Sequence, residues 1–492
     1  MLKSIDLRDM PRRPELRDGI LRADLCIIGG GSGGLSMAAA AAQMGASVIL
    51  IEKGKMGGDC LNTGCVPSKA LIAAAHAAHV VRQGHRFGIE MQEPVIDFSR
   101  VHHHVHGVIG AIAPHDSVER FEGLGVEVIQ ASGRFTAPDM LEAGGQRIRA
   151  RRYVVATGSR AAVPPIPGLK DVSYLTNESL FDLTESPRHL IVIGGGPIGV
   201  EMAQAFRRLG SAVTIVEKFG ILAKDEPEAV DVIRRSLKEE GIELFDNTGI
   251  KGIELCAGGI GVNLDSSATP ARTIVGSHIL LAAGRHPNLE ELNLGAAGVD
   301  VTPKGISTDN RLRTTNRHVF AIGDVAGGPQ FTHIAGYHAS VAIKNILFGL
   351  PAKVNYAALP WVTYTDPELA HVGLTEADAR AQKLNFRILS WPMAMNDRAQ
   401  AERATDGLAK VVIGKRGRIL GATIVGPRAG ELIGTWGLAI SSGLSIGALA
   451  TSIAPYPTLS EVTKRVAGSS FTSTLFGSRT RTLVGLIQRF LP

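Results

Sequence analysis

One stretch of this chain occurs twice. DLCIIGGGSGGLSMAAAAAQMGASVILIEKG, beginning at Asp24, matches HLIVIGGGPIGVEMAQAFRRLGSAVTIVEKFG, beginning at His189. Each copy reads as a short apolar strand, a glycine turn, a helix ending near a glycine (Gly45, Gly210) and a second apolar strand ending in a glutamate (Glu52, Glu217). Two strands joined by one crossover helix form a parallel βαβ unit, so the chain is an α/β protein with that unit used twice. Both turns carry the spacing G-x-G-x-x-G: Gly29, Gly31 and Gly34, then Gly194, Gly196 and Gly199. The first glycine permits a tight turn, the second lets backbone approach a pyrophosphate, and the third allows close helix–strand packing over unpaired N–H groups. The acid about twenty residues on is placed to accept from an adenosine ribose. Two dinucleotides are therefore expected. A carboxylate at Glu217 accepts from a 2′-hydroxyl and repels a 2′-phosphate, which favours NAD over NADP; Lys218 beside it softens the preference.

With 492 residues there is room for several domains, and the formal charge of +6 is spread too thinly to suggest a nucleic-acid partner. The N-terminal 22 residues are studded with charge and lack an apolar run suited to export, and no stretch reads as a membrane span. Residues 23–165 are expected to form a first dinucleotide domain and 166–284 a second. Residues 285–355, containing HVFAIGDVAGG, should return to the first domain. From 356 to 477 strands framed by helices suggest a separate α+β domain, and 478–492 a basic amphipathic tail, read as a packing helix or a membrane-surface contact. Cys26 and Cys256 lie in or beside predicted strands, where burial is expected; Cys60 and Cys65 are close neighbours near a helix start, where N–H groups and cations lower a thiolate's pKa. His102 and His106 fall four apart on a predicted helix, but no further ligand completes a metal set, so a solvated face is expected and no metal is assigned. Asn396, Asp397, Arg398 and Arg403 read as surface ion pairs or as charge presented to a substrate.

The segment GGDCLNTGCVPSK, Gly57–Lys69, resembles the active-site signature of the class I pyridine-nucleotide disulfide oxidoreductases, the group containing lipoamide dehydrogenase, glutathione reductase and mercuric reductase. The resemblance runs over nearly the whole chain, through ATGS at Ala156, AAGRHPN at Ala282, AIGD at Ala321, YTDPELAHVGLTE at Tyr364 and PTLSE at Pro457. It implies two Rossmann-like domains, for FAD and NAD, plus a C-terminal dimerisation domain that completes the partner's active site, in a cytoplasmic homodimer. It implies that Cys60 exchanges with substrate and Cys65 faces the flavin, and that Lys69 and Glu201 pair beside the flavin. Glu52, Gly58, Asp59, Thr157, Gly158 and Asp324 match flavin-side positions, and Gly284 lies in a cofactor-contacting motif.

Where lipoamide dehydrogenase and glutathione reductase carry a histidine before the PT of this last motif, the chain has Tyr456; the glutamate five positions later is kept as Glu461. A histidine suits proton transfer near neutrality, whereas a phenol with a pKa near 10 is ionised to only about one part in a thousand at pH 7. Dihydrolipoamide oxidation is thus disfavoured. A mercuric reductase would have a C-terminal cysteine pair, and no cysteine follows Cys256. The expected activity is electron transfer from NADH through FAD to the Cys60/Cys65 pair and on to a small disulfide, oxidant or soft-metal electrophile. Lipoamide dehydrogenase, a mercuric reductase and a flavin-bound redox sensor or scaffold are the alternatives.

Overall fold

The computed structural model describes residues 12–265 and 272–491; of the expected N-terminal extension, residues 1–11 lie outside them. The chain forms two compact units. The first begins with β1 (Ile20–Ile28), α1 (Ser32–Gln43) and β2 (Val48–Glu52), the first of the repeated βαβ segments. Two helices come next, the short α2 (Gly58–Asn62) and α3 (Cys65–Arg82), and then α4 (Phe98–Ile112), β3 (Glu127–Gln130) and β4 (Gln146–Val155). The strands are apolar on both faces because helices and loops cover both: Leu25, Ile27, Val48 and Leu50 pack towards α1, while Cys26, Ile28, Ile49 and Ile51 pack on the other side against Phe135 and Tyr153.

The second repeat supplies β5 (His189–Ile193), α5 (Pro197–Arg208) and β6 (Ala212–Val216), then α6 (Pro227–Glu239) and β7 (Glu243–Phe245). These three strands are parallel, with β6 between β5 and β7. The chain then re-enters the first unit with β8 (Val319–Ala321) and α7 (Thr332–Ile346). There the parallel order is β3-β2-β1-β4-β8, so the glycine turn after β1 lies where successive connections leave to opposite sides of the sheet. Such a crevice is the expected ligand position of a doubly wound sheet.

The C-terminal part forms an antiparallel sheet of β9 (Pro360–Thr363), β10 (Glu368–Gly373), β11 (Phe386–Pro392), β12 (Leu408–Gly414) and β13 (Ile419–Gly426), ordered β9-β10-β13-β12-β11. The helices α8 (Ala429–Ser441) and α9 (Glu461–Ser469) cover it, with Trp436 fully buried, and α10 (Ser478–Ile487) comes last.

Two divisions differ from those read in the sequence. Residues 166–186 and 278–284 group with the first unit, because the Leu175 N–H donates to the Ile279 carbonyl (2.7 Å) and Leu281 donates back to Leu175 (2.8 Å). The second dinucleotide segment and the C-terminal sheet, expected as separate domains, share one compact unit. Buried charge joins them. The Lys410 ammonium on β12 lies 2.9 Å from Glu226 and 3.0 Å from Glu228 at the start of α6, with side chains 5% and 3% exposed for Lys410 and Glu226. Arg208 at the end of α5 pairs with Asp366 (3.0 Å) and Glu240 (2.7 Å), and the Trp361 indole donates to Asp225 (2.7 Å). Charges so widely separated in sequence carry no local signal of such pairing. Cys26 is buried as expected, but Cys256 is exposed: it ends a strand at a glycine turn, in a three-stranded meander whose solvent side nothing covers.

Candidate active site

The first cradle sits between β1 and α1. Gly29 has φ 114, a conformation closed to most L-residues, and a Cβ there would lie 2.3 Å from the Ala156 carbonyl at the end of β4. A Cβ on Gly34 would meet the Gly29 carbonyl at 1.9 Å, so only glycine lets α1 start this close to the strand. Gly31 caps α1 without any side-chain bond, leaving the first N–H groups of the helix available to an anion. Both oxygens of Glu52 accept backbone N–H groups, from Gly30 and Gly54, each at 2.6 Å. The second cradle repeats this. Gly194 has φ 116, a Cβ on Gly199 would lie 2.0 Å from the Gly194 carbonyl, and Glu217 accepts from Gly195 (2.6 Å) and Phe219 (2.8 Å). A Cβ on Gly196 would meet nothing within 4 Å, leaving the open approach that a pyrophosphate needs.

Beyond both glutamates the chain folds back in the same way, the Gly57 N–H donating to the Gly30 carbonyl (2.9 Å) and the Leu222 N–H to the Gly195 carbonyl (2.9 Å). The cradles part company at the next residue: a Cβ on Gly58 would lie 2.6 Å from the Gly31 Cα, whereas Gly196 has nothing within 4 Å. The first return seats α2 and α3, and with them the cysteines, at the crevice. Cys60 lies within α2 and Cys65 is the first residue of α3; both are free thiols. Each thiol acts on the other's ionisation. The neighbouring Cys60 thiol is the main reason the Cys65 pKa falls to about 6; the Thr332 hydroxyl, 3.3 Å from its sulfur, and the Lys69 ammonium one turn further along α3 act in the same direction. Cys60 moves the opposite way, raised by the neighbouring Cys65 and by burial, while the Ser32 and Thr332 hydroxyls oppose this. Ser32 opens α1 and Thr332 opens α7, so two helix N-termini point at the sulfur pair.

Asp59, beside Cys60, opposes ionisation of Cys65. It is held in turn by the Arg285 guanidinium (3.0 Å), the Asn177 amide (2.7 Å) and the Thr63 hydroxyl (2.8 Å). Arg285 also donates to the Ser159 hydroxyl (2.7 Å) and carbonyl (2.8 Å), and Ser159 donates to Asp324 (2.5 Å), whose carboxyl burial pushes up. Thr157 and Gly158 are locked to Asn288: the Thr157 hydroxyl donates to its carbonyl (2.8 Å) and the Asn288 N–H to that of Gly158 (3.0 Å). The Gly284 carbonyl accepts from Ala162 at 2.9 Å. Sequence reading missed Arg285, Ser32 and Thr332. Arg285 stands inside the motif AAGRHPN, but its partner Asp59 is 226 positions away, and only a serine or threonine opening a helix hinted at the hydroxyls.

In the second unit, Glu201 on α5 is buried and accepts the Tyr364 N–H at 2.9 Å. Tyr456 is exposed, and its hydroxyl donates to Asp397 at 3.1 Å, which raises its pKa; Glu461, the first residue of α9, lies 3.8 Å from Arg465. Asp397 is therefore the carboxylate bonded to the phenol. Arg398 pairs with Glu402 (2.5 Å), and the Asn396 amide donates to the Thr458 carbonyl (3.1 Å). On α4 the rings of His102 and His106 lie 4.2 Å apart and His106 bonds the Phe181 carbonyl (3.1 Å). Among the described residues no group of three or more metal-ligating side chains assembles, and no helix is long and apolar enough to cross a membrane.

Comparison with known proteins agrees with this arrangement. The sequence profile described as pyridine nucleotide-disulphide oxidoreductase matches residues 23–339, and that of the same proteins' dimerisation domain matches residues 359–467. The chain is 36% identical to a mercuric reductase of Bacillus cereus over 89% of its own length and 70% of the relative's. It is 35% identical to a dihydrolipoyl dehydrogenase of Geobacillus stearothermophilus over 92% and 96%. Among solved structures, the HOCl-induced flavoprotein disulfide reductase RclA of Escherichia coli, as its Cu(II) complex, superposes with a TM-score of 0.81 at 27% identity, covering 90% of this chain and 99% of that one. LpdA of Mycobacterium tuberculosis superposes with a TM-score of 0.83 at 26% identity, covering 91% and 99%.

Proposed function

Because this chain belongs to the pyridine nucleotide-disulphide oxidoreductase family, FAD- and NAD(P)-using enzymes, we propose that it is an NADH-dependent reductase whose Cys60/Cys65 pair delivers two electrons to a small disulfide, oxidant or soft-metal electrophile. The observation that carries the reading is the placement of the dithiol: Cys60 within α2 and Cys65 opening α3, its sulfur 3.3 Å from the Thr332 hydroxyl and its pKa lowered by neighbouring Cys60, Thr332 and Lys69. The first cradle, with Glu52, Thr157, Gly158 and Asp324, suits FAD. The second, with Gly194, Gly196, Gly199 and Glu217, suits NAD(H). FAD, when bound, supplies a carrier that takes a hydride from the nicotinamide and returns an electron pair to sulfur. Lys69 contributes positive charge on that side.

Toward a disulfide substrate, Cys60 attacks one sulfur and expels the other as a thiolate. Its proton passes to the neighbouring Cys65 thiolate, whose lower pKa makes it the better ionised of the two. Cys65 then attacks the Cys60 sulfur, closing the Cys60–Cys65 disulfide and releasing the second substrate thiol, with the proton passing to a leaving thiolate. A base built into the pair reduces the need for the histidine that Tyr456 replaces. In a homodimer the partner subunit's Tyr456 would stand at this site as a hydrogen-bonding phenol, its hydroxyl held by Asp397; the reducing cytoplasm suits such a cycle.

Anaerobic NADH titration is expected to produce a long-wavelength thiolate–flavin absorbance that Cys65→Ser lacks; the same spectra for both proteins would remove the dithiol from the pathway. A substrate panel on wild type and Tyr456→His should show low dihydrolipoamide turnover that rises in the variant. High turnover by the wild type would instead make the chain a lipoamide dehydrogenase.

A further inference from the structure

The dimerisation-domain match ends at residue 467, yet the chain continues through α10 to the C-terminus. At about 100° per residue, Leu483, Val484, Leu486 and Ile487 share one side of this helix, and Phe490 and Leu491 in the next turn extend the same arc. All six are exposed, from 44% for Ile487 to 81% for Phe490. The opposite arc carries Arg481, Gly485, Gln488 and Arg489, while Arg479, in the first turn, stands at the N-terminal end of the apolar stripe, in line with Leu483 and Leu486. No acidic residue lies beyond Glu461, and the three arginines are exposed, with no acidic partner among the described residues. The element is a short helix with an uncovered apolar face flanked only by positive charge.

We propose that this helix docks the protein on an anionic lipid surface, lying in the interface with its apolar face among the acyl chains, Arg481 and Arg489 among phosphate headgroups, and Arg479 extending from the end of the apolar stripe to the same headgroups. Its ten residues are about half the length needed to span a bilayer, so surface binding is the geometry open to it. Docking against the same helix of a second copy is disfavoured, since it would bring two purely basic segments together. A dimer presents two such helices to one membrane, and the second binds at the high local concentration set by the first.

The test uses the full-length holoenzyme with sedimented vesicles of phosphatidylcholine alone or mixed with phosphatidylglycerol. The protein is expected to bind the mixed vesicles about tenfold or more tightly, and to be released by salt. A chain ending at Gly477, and separately the triple substitution R479Q/R481Q/R489Q, should lose that binding while keeping flavin and NADH oxidation. No preference for anionic vesicles in the wild type, or undiminished binding by the shortened chain, would overturn the proposal. So would a shortened chain that turns from dimer to monomer in analytical ultracentrifugation while the wild type ignores vesicles, because the apolar face would then belong to a second copy.

Discussion

The two glycine cradles are nearly superimposable in their chemistry and opposite in what is built over them. Each has a left-handed first glycine, a third glycine whose Cβ would strike a carbonyl, and a glutamate accepting two backbone N–H groups. Over the first, the chain returns through Gly57 and Gly58 and lays the dithiol helices against it. Over the second, the chain returns by the equivalent bond, Leu222 N–H to the Gly195 carbonyl, but then runs on to α6 and leaves Gly196 facing open space. The same βαβ unit therefore becomes a covered cradle or an open one, according to the short segment after its glutamate.

The most severe way to break this comparison is to add one methyl group to each cradle. Gly34→Ala should yield protein with less than about a tenth of the normal flavin, whereas Gly199→Ala should stay yellow but lose reduction by NADH. Bleaching of both variants, read from the visible spectrum, would show that the two seats are not independent. Next in size is the anchoring of the second cradle. Lys410→Met strands Glu226 without its buried partner and should cost about 3 kcal/mol or more in urea unfolding; a loss under about 1 kcal/mol would mean that water already screens the pair. Cofactor choice should move less: Glu217→Ala removes the charge that repels a 2′-phosphate and should raise NADPH use relative to NADH by about tenfold, leaving flavin content unchanged.

The smallest effect concerns the first cradle's closing segment. Cys65 ionises at about 6, so alkylation of the reduced pair by iodoacetamide should speed up as pH rises through that value and level off above it. Arg285→Gln leaves Asp59 uncompensated and should shift this midpoint upward; Asp59→Asn should shift it downward, each by about one unit or less. A midpoint indifferent to both substitutions would show that Asp59 and Arg285 only brace the helix.

The duplicated unit, the position of each glutamate and the adjacent cysteines were legible because their constraints are local. A turn that tolerates only glycine and a strand that must be apolar write themselves into consecutive residues. Less was legible around them. The lowered pKa of Cys65 depends first on neighbouring Cys60, and then on Thr332 and Lys69 brought in from two helices. The partner of Tyr456 proved to be Asp397, 59 positions away, although Glu461 is nearer in the chain. Cys256, expected to be buried from its strand pattern, is exposed at the strand's end beside a glycine turn, while Ile253, Val262 and Ile274 of the same sheet are buried.

Order along the chain was enough to specify an inventory: two dinucleotide seats, one dithiol and an antiparallel domain after them. Folding then settled how charge is distributed among these parts, in the Lys410–Glu226 anchor, the Arg285 brace on Asp59 and the groups that lower the Cys65 pKa. Backbone conformation is set by neighbours in sequence, whereas an ionisation equilibrium is set by whatever groups folding brings within a few ångströms, and that information exists only once the chain has closed on itself.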